Sequence, residues 1–376
     1  MKLMTILGTR PEIIRLAKVV GVLESKAQHV LVHTGQNYDD RLSAIFFEEL
    51  GVRAPDVYLG IKGDTFGAQV GQLLSRAESL FLEHRPDRLL ILGDTNSGLS
   101  ALVARRLGIP VYHMEAGNRC FDDRVPEEVN RRIIDHCSSV LMPYTERSRQ
   151  NLLREGIASD RIFVTGNPIH EVMETYRDKI DASSALSTLR LEPERYFLVT
   201  LHRAENVDNE ARLRRYLDAF SALHRAYDYP VVCSLHPHTR ARIESFGIDS
   251  HRAGLQFLPP FGFFDFVRLE RSAFCVLSDS GTVQEETCLL NVPNVTLRDV
   301  TERPETVECG SNVLAGSEVA QIVALVGLVT SRKRTWTPPP EYLATSVTDT
   351  VCRLVLGYRV PDACEARWSA RASSVS

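Results

Sequence analysis

The sequence has no long apolar run and little excess charge. It contains no stretch of about 18 or more apolar residues, and its start, MKLMTILGTRPE, lacks the apolar core and cleavage site of a signal peptide. We therefore expect a cytoplasmic protein that does not enter a membrane. The formal net charge of −4 gives no general attraction to nucleic acid or to an anionic membrane. Any anionic ligand must then be bound by a local site.

Several cofactor motifs are also missing. The eight cysteines form no CxxC pair, which favours reduced, mostly buried thiols over a zinc site or a disulfide framework. The chain has no GKS or GKT phosphate loop and no GxGxxG after its first predicted strand, which disfavours ATP and nicotinamide cofactors. We predict neither a metal nor a cofactor.

Short β-branched or leucine-rich segments alternate with helical stretches along the chain. This alternation is typical of βαβ units and a parallel sheet. The predicted strands are KLMTIL, HVLVHT, RLLILG, PVYHM, SVLMP and IFVTG in the first half, and YFLVT, PVVCSL, LQFL, FCVLSD and NVTL in the second. The predicted fold class is therefore α/β, with two Rossmann-like, doubly wound domains that face a cleft.

The length of 376 residues also favours two domains. The segment from Asn167 to Glu194 is helical and polar without a strand signal, and we place the link between the domains at its start. The predicted domains are residues 1–168 and 169–362. Residues 363–376 are small and polar, and we expect them to fray.

Ligands of open parallel sheets bind at the carboxyl ends of the strands, so the loops there are informative. In GTRPE, after the first strand, Arg10 would stand beside a helix N-terminus and could bind an anion, although a solvated turn arginine is the alternative. Asp94 follows RLLILG and could be either a helix cap or a catalytic acid. Glu115 follows the next strand and could converge with Asp94 on one site.

The second half contains a histidine and an anion-binding sequence at strand ends. His202 lies in HRAEN between Arg203 and Glu205, which favours a site residue over a structural one. In LSDSGTVQEE, residues Ser280, Gly281 and Thr282 open a helix whose free N–H groups can bind a diphosphate. One of Glu285 and Glu286 could reach the hydroxyls of a ribose. Phe261 is either a core residue or part of a wall on which a base stacks.

These features together indicate chemistry on a nucleotide sugar, and a series of motifs makes the indication specific. In order, from residue 8 to about residue 314, they are GTRPEIIRLAKVV, HTGQNYDD, GDTNSGLSA, HMEAGNR, RVPEEVNRR, HRAENVDN, LSDSGTVQEE and RDVTERPETVECGSNVL. Their sequence and order resemble those of the non-hydrolysing UDP-N-acetylglucosamine 2-epimerase family. The resemblance covers most of the chain.

The resemblance implies a fold of the glycosyltransferase-B type, a first domain with the catalytic acids and a second domain that binds UDP. It also implies interconversion of UDP-N-acetylglucosamine and UDP-N-acetylmannosamine by a homodimer. UDP would leave carbon 1 while carbon 2 loses a proton, and would re-add to the 2-acetamidoglucal. By the motifs, the resemblance implies that the proton is handled by three acids, Asp94, Glu115 and Glu127. It implies that two groups face the departing diphosphate, Arg131 and His202. The other implied substrate contacts are Arg10, Ser280, Gly281, Thr282 and Glu286.

Three positions depart from the family pattern. Arg15 stands where lysine is common, which keeps the charge of this expected substrate-binding residue but changes its hydrogen-bond geometry. Gly281-Thr282 replaces a usual Gly-Gly pair. The TGQ loop reads Gln36 to Asp39 here, and its acid would repel a diphosphate, so we do not expect the allosteric activation by substrate found in some bacterial members.

Alternative functions remain open at this point. The pattern looks closest to a branch that includes epimerases of UDP-6-deoxy-N-acetyl-L-hexosamines, in which the carbon-2 chemistry is the same. A UDP-sugar glycosyltransferase would share the architecture but needs an acceptor pocket in place of the three acids. A hydrolysing epimerase and a catalytically silent UDP-sugar sensor are the remaining alternatives.

Overall fold

The computed structural model describes residues 1–35, 40–331 and 334–359, with the backbone alone for residues 40–43. The TGQ-loop residues 36–39 and the expected frayed segment 363–376 therefore lie outside the described residues. The chain folds as two compact units. The first contains Met1–Val172 and the segment that begins at Ala344, and the second contains Met173–Leu343.

Each unit is built on a six-stranded sheet. The strands of the first unit are β1 Lys2–Leu7, β2 Gln28–His33, β3 Val57–Tyr58, β4 Arg88–Leu92, β5 Val111–Met114 and β6 Val140–Met142. Those of the second unit are β7 Phe197–Leu201, β8 Val231–Leu235, β9 Leu255–Leu258, β10 Cys275–Ser278, β11 Asn294–Thr296 and β12 Asn312–Leu314. All pairings between these strands are parallel.

The strand order shows that both sheets are doubly wound. It is β3-β2-β1-β4-β5-β6 in the first unit and β12-β11-β10-β7-β8-β9 in the second. In each unit the chain winds outward from its first strand, returns, and winds the other way from its fourth. The loops after β1 and β4, and those after β7 and β10, therefore separate at the point where such folds bind ligands. The predicted fold class is confirmed.

Helices connect successive strands, as parallel pairing requires. They are α1 Arg10–Lys26, α2 Asp40–Glu49, α3 Phe66–His84, α4 Ser100–Leu107, α5 Pro126–Cys137, α6 Glu146–Arg154, α7 Pro168–Thr175, α8 Arg177–Asp181, α9 Ala185–Thr188, α10 Ala204–Val207, α11 Glu210–Tyr227, α12 Pro237–Ser245, α13 Phe263–Ser272, α14 Gly281–Leu289, α15 Pro304–Glu308, α16 Val319–Thr330 and α17 Val347–Gly357. Short 3₁₀ helices span Asn96–Leu99, Ser159–Arg161 and Pro340–Leu343. Within the described ranges, no helix has the length and apolar character needed to cross a bilayer.

Helix α1 illustrates why these segments fold as they do. Thr9 precedes it in an extended conformation, and Pro11 occupies its first turn, where a proline loses no helical hydrogen bond. Ile13, Leu16 and Val20 recur at helical spacing and are all buried. Burial of each such side chain contributes about 2 kcal/mol relative to exposure. Sheet packing along this apolar face thus adds to the local signals that start the helix.

The predicted strands agree with the structure with three differences. IFVTG forms only an isolated bridge between Ile162 and Leu141. The short strands β3 and β12 were not predicted. Each has only two or three residues, which is too few to show periodicity in the sequence.

The C-terminal helix α17 belongs to the first unit, whereas the sequence placed residues 169–362 in one domain. Glu171 Oε2 accepts hydrogen bonds of 2.9 Å from both the N–H and the hydroxyl of Thr348, at the start of α17. The Tyr112 hydroxyl on β5 donates to the carbonyl of Tyr358 at 2.6 Å, just after that helix. The amphipathic pattern of α17 predicts a helix but not the sheet on which it packs.

Substituting Gly117, in the loop after β5, tests how closely this loop packs on α6. Gly117 and Gly156 have φ values of 80° and 83°, and a Cβ atom on Gly117 would lie 2.3 Å from the Ser148 carbonyl oxygen, whereas that on Gly156 would meet open space. In both Gly→Ala variants the left-handed backbone conformation should lower the free energy of unfolding by about 1 kcal/mol. In Gly117→Ala, overpacking against α6 should lower it by about 2 kcal/mol more. Urea unfolding of both variants measures this difference, and equal losses would contradict it.

Candidate active site

The loops after β1 and β4 are joined by a buried carboxylate. Glu12 Oε2 accepts hydrogen bonds from the backbone N–H groups of Gly8 at 2.9 Å and Thr9 at 2.7 Å. Its other oxygen accepts from the Thr95 hydroxyl at 3.0 Å. Burial raises the pKa of Glu12 to about 7, and these hydrogen bonds oppose but do not cancel that effect. Glu12 therefore fixes the positions of Arg10 and Asp94, one residue away along each loop.

Arg10 and Arg15 both lie on α1 but in different surroundings. Arg10 is the first residue of the helix, and its guanidinium carbon lies 5.8 Å from the centre of the Phe46 ring. Burial lowers the pKa of Arg10, as expected for a desolvated cation. Such a group beside a helix N-terminus suits an anionic ligand. Arg15 is only 2% exposed and lies in the interior of the first unit.

Asp94 forms an ion pair with Arg131 of α5. Its Oδ2 lies 2.8 Å from Nε and 2.6 Å from Nη2 of Arg131. Nη1 of the same guanidinium lies 2.7 Å from Oε2 of Glu128, which is completely buried. Arg131 thus bridges two carboxylates and orients Asp94. The sequence analysis named Asp94 and Arg131 but not Glu128.

Glu128 is held ionised inside the protein by its neighbours. Burial alone would raise its pKa, but 3.0 Å hydrogen bonds from the backbone N–H groups of Cys120 and Phe121, together with Arg131, hold the pKa below its ordinary value. These bonds also tie the loop that follows β5 to the start of α5. The sequence contained a signal for Glu128, because Arg131 and Arg132 follow it at the spacings that meet on one helix face.

Glu115 directly follows β5 and has an unusual backbone conformation. Its φ of 66° lies in the left-handed region, which a residue other than glycine enters at a cost of about 1–3 kcal/mol. Met114 pairs with Leu92 of β4, so Glu115 and Asp94 follow neighbouring strand ends. Glu127 is the second residue of α5, and Asn130 of the same helix donates to the Asp94 carbonyl at 3.0 Å. The three predicted acids therefore flank the same edge of the first sheet.

A second buried network supports this edge. His113 Nδ1 lies 2.9 Å from Oδ1 of Asp135, and His113 Nε2 lies 2.9 Å from the carbonyl oxygen of Gly93. Oδ2 of Asp135 lies 2.8 Å from Nη2 of Arg119 and accepts a hydrogen bond of 3.1 Å from the backbone N–H of Gly117. Burial acts to raise the pKa of Asp135, but His113 and Arg119 more than offset it and lower the pKa. The sequence analysis did not identify these residues, because their partners lie on different segments.

In the second unit, a buried carboxylate again joins the two loops at the winding point. Asp279, after β10, accepts hydrogen bonds from the backbone N–H groups of His202 and Arg203, after β7, at 3.0 and 2.9 Å. It also lies 3.0 Å from Nδ1 of His202. Burial would raise the pKa of Asp279, but His202 and these donors hold it far below its ordinary value. An ionised carboxylate only accepts, so Nδ1 of His202 carries the proton.

The predicted anion-binding sequence opens helix α14. Ser280 is the residue before the helix, and its hydroxyl lies 3.0 Å from that of Thr282 rather than capping the backbone. Gly281 begins the helix, and a Cβ atom there would lie 2.4 Å from Oε1 of Glu302, so a larger residue would have to displace the Glu302 carboxylate. The first turn of α14 therefore presents N–H groups in the arrangement that binds phosphate.

The two adjacent glutamates of α14 have different neighbours. Glu285 is completely buried and forms an ion pair with Arg303. Glu286 is 5% exposed and interacts with Glu270 of α13, whose pKa is raised well above its ordinary value by burial and by the charge of Glu286. Glu270 and Glu286 thus form a buried carboxyl pair in which Glu270 holds its proton more tightly than an exposed glutamate would. Phe261 is partly buried and packs against an apolar core cluster.

The fold and these residues define a two-unit α/β protein with an anion-binding helix N-terminus in one unit and a cluster of acids and cations in the other. Residues 22–353 match the sequence profile of the UDP-N-acetylglucosamine 2-epimerase family. The chain belongs to this family.

Individual relatives agree with this assignment. The UDP-N-acetylglucosamine 2-epimerase of Methanocaldococcus jannaschii is 42% identical over 347 residues, which cover 90% of this chain and 95% of the relative. A Pseudomonas aeruginosa UDP-2,3-diacetamido-2,3-dideoxy-D-glucuronate 2-epimerase is 38% identical, with 86% and 90% covered. The crystal structure of the M. jannaschii enzyme with UDP-GlcNAc and UDP superposes with a TM-score of 0.90 at 40% identity, covering 94% of this chain and 99% of that one.

Replacement of Glu12 by glutamine should change how stability depends on pH. The carboxyl of Glu12 has an ordinary pKa of 4.5 and a pKa of about 7 in the folded protein. Between these values the folded state keeps a proton that the unfolded state has lost, so the free energy of unfolding falls as pH rises, by about 3 kcal/mol. Glutamine does not ionise, and it can still accept from Gly8 and Thr9 and donate to Thr95. Glu12→Gln should therefore lack this fall.

Urea unfolding gives the free energy of unfolding of the variant and of the wild type at about pH 5 and at about pH 8. The effect is the change, between these two pH values, in the difference between the two proteins. Glu146→Gln, at the exposed first turn of α6, is the matched control and should show no such change. A stability difference between Glu12→Gln and wild type that is the same at both pH values would refute the assignment.

Proposed function

We propose that this protein reversibly converts UDP-N-acetylglucosamine into UDP-N-acetylmannosamine. The observation that carries the proposal is the placement of Asp94, Glu115 and Glu127 at one edge of the first sheet, with the cation of Arg131 paired to Asp94. A reaction at carbon 2 needs acids to move a proton and cations to accept the leaving diphosphate. Membership of the epimerase family supports the choice of this reaction.

The second unit is proposed to bind UDP. The diphosphate would accept hydrogen bonds from Ser280, Gly281 and Thr282 at the positive end of α14. Glu286 would accept hydrogen bonds from the two ribose hydroxyls, and beside it lies Glu270, whose pKa is raised by burial and by the charge of Glu286. His202 would donate from Nε2 when protonated there, because Asp279 holds the proton on Nδ1.

Elimination followed by re-addition gives a balanced reaction. A carboxylate removes the hydrogen of carbon 2, the electron pair forms the carbon 1–carbon 2 double bond, and the bond from carbon 1 to the diphosphate oxygen breaks. UDP leaves with the electron pair of the broken carbon 1–oxygen bond, and 2-acetamidoglucal remains. Re-addition of UDP with protonation from the opposite face inverts carbon 2. Asp94, Glu115 and Glu127 are proposed to supply and relay the protons.

Cations are proposed to stabilise the charge of the departing UDP. Arg10 and His202 are proposed to contact the phosphates, and Arg131 to meet the diphosphate as it departs. The bonds from Arg131 to Asp94 and Glu128 support a further role in orienting Asp94. The roles of Arg15 in substrate binding and of Phe261 in stacking on the base stay proposals, and the burial of both residues favours packing roles.

The substrate could differ at carbons 3 to 6 while the chemistry at carbon 2 stays the same. The P. aeruginosa relative is named for a diacetamido glucuronate substrate. The UDP-6-deoxy-N-acetyl-L-hexosamine alternative belongs to the same class. Turnover of all three UDP-sugars should be compared, and we expect the highest kcat/KM for UDP-N-acetylglucosamine.

A homodimer is proposed as well, and the exposure of Val129 and Ile133 on α5, at 44% and 39%, supports a contact surface there.

An NMR time course with UDP-N-acetylglucosamine in deuterated water tests the reaction itself. Reversible conversion to the carbon-2 epimer with deuterium at carbon 2 is expected, because the proton removed exchanges with solvent before return. An unchanged sugar configuration would instead favour a glycosyltransferase, and release of free N-acetylmannosamine a hydrolysing epimerase. Product without deuterium would exclude proton exchange with solvent.

Single substitutions of the acids test their proposed roles. Asp94→Asn, Glu115→Gln and Glu127→Gln should each lower kcat by about 10²–10⁴-fold, the usual contribution of a general acid or base. Asp123→Asn is the control, since this acid lies in the same segment with a side chain 69% exposed. An acid whose amide variant turns over like Asp123→Asn would have no part in the proton transfer.

Removal of the His202 side chain should impair departure of UDP. His202→Ala is expected to lower kcat by about 10²-fold, because a donor to the developing charge is lost. His238→Ala is the matched control, since His238 is also paired with an aspartate, Asp208 at 2.7 Å, in the same unit. Equal kcat values for the two variants would remove His202 from the reaction.

A further inference from the structure

Two cysteines lie close together beside the proposed diphosphate-binding helix. Cys288 is on α14, and Cys309 directly follows α15. Their sulfur atoms are 3.7 Å apart. Cys288 is completely buried, whereas Cys309 is partly exposed and therefore accessible to a small oxidant.

The contact with Cys288 makes Cys309 the more acidic thiol of the pair. The Cys309 thiol lies 3.4 Å from the Ser311 hydroxyl and 3.4 Å from the Thr306 carbonyl oxygen, to both of which it can donate, in addition to its contact with the Cys288 thiol. The hydrogen bond from Cys288 lowers the pKa of Cys309, with burial opposing it, while the pKa of Cys288 is raised. Thiolates rather than thiols react with peroxides, so Cys309 is the attacking sulfur of the pair and Cys288 the resolving one.

The segment that carries Cys309 runs along α14 from one end to the other. At the start of the segment, Oε1 of Glu302 packs against Gly281. The next residue, Arg303, forms an ion pair with Glu285 in the middle of α14. At the end, Cys309 meets Cys288. A displacement of this segment therefore alters the contact of Glu302 at the N-terminus of α14, where the diphosphate is proposed to bind.

We propose that Cys288 and Cys309 form a reversible disulfide in the presence of a peroxide, and that this disulfide weakens ligand binding at the N-terminus of α14. The thiolate of Cys309 attacks one peroxide oxygen, the O–O bond breaks, and hydroxide leaves, which gives a sulfenic acid. The sulfur of Cys288 then attacks the Cys309 sulfur, and its proton departs with the hydroxyl as water. Two thiols are oxidised and one peroxide is reduced.

Closure of the disulfide moves the segment rather than the helix. The sulfur atoms must approach from 3.7 Å to about 2.05 Å. The carbonyl of Cys288 is held by Trp336 Nε1 at 3.1 Å, and α14 is buried along most of its length. Cys309 follows a five-residue helix that is partly exposed, so we expect α15 to shift and to carry Glu302 and Arg303 with it.

The disulfide can be tested without reference to catalysis. The full-length protein is treated with hydrogen peroxide, alkylated and digested, and the peptides are mapped by mass spectrometry before and after dithiothreitol. A linked Cys288–Cys309 peptide that dithiothreitol releases is the expected result. Absence of that peptide from wild-type protein, with Cys309 oxidised no faster than the partly exposed Cys137, would overturn the proposal.

The effect on binding is measured with UDP, and only this readout depends on the proposed function. Oxidised wild-type protein should bind UDP about tenfold more weakly, which corresponds to the loss of about one hydrogen bond to a charged group, and dithiothreitol should restore it. Cys309→Ser should bind UDP normally and be insensitive to peroxide, whereas Cys137→Ser should respond like wild type. A mapped disulfide with unchanged UDP affinity would refute the coupling. Failure of the reduced protein to bind UDP would instead count against the proposed function and leave the disulfide result valid.

Discussion

In both units, a buried carboxylate joins the two loops that separate where the sheet reverses its winding. Glu12 joins the loops after β1 and β4, and Asp279 joins those after β7 and β10. The loops leave the sheet in opposite directions at this point, so their backbone N–H groups have no neighbouring strand to bond. A carboxylate with two acceptor oxygens can satisfy several of these donors at once. The residues next to each carboxylate, which are proposed to bind the ligand, depend on this contact for their positions.

The two carboxylates differ in charge because their donors differ. The donors to Glu12 are backbone N–H groups and hydroxyls, and burial raises its pKa to about 7. Asp279 also faces the His202 ring, and His202, the backbone N–H of Arg203 and the Asn206 amide together outweigh burial and hold the pKa of Asp279 low. The first unit can therefore keep its loops together without a permanent charge. In the second unit the permanent charge of Asp279 determines which nitrogen of His202 donates to it, and this leaves the other nitrogen for a ligand.

The sequence was sufficient to predict features that depend on local order and insufficient for those that depend on tertiary partners. Strands and their following loops were predicted because apolar runs and turn residues are contiguous, and Asp94 and Ser280 were identified by their place at strand ends. Asp135 and Asp279 were missed, since their importance comes from His113 and His202, which are 22 and 77 residues away. The same reason explains α17, whose helical pattern is local but whose packing on the first unit is not.

The acidic residues of segment 113–135 include two groups that differ in exposure and in pairing. Glu128 and Asp135 are completely buried and paired with Arg131 and Arg119, so a change in their charge would remove one of the two carboxylate partners of a buried guanidinium. Such groups are suited to holding loops in place and poorly suited to exchanging protons. Glu115 and Glu127 are partly exposed at the edge of the sheet, and they are two of the acids proposed to transfer protons. The proposed proton transfer would therefore depend on a framework of buried, paired charges that holds these two acids in place.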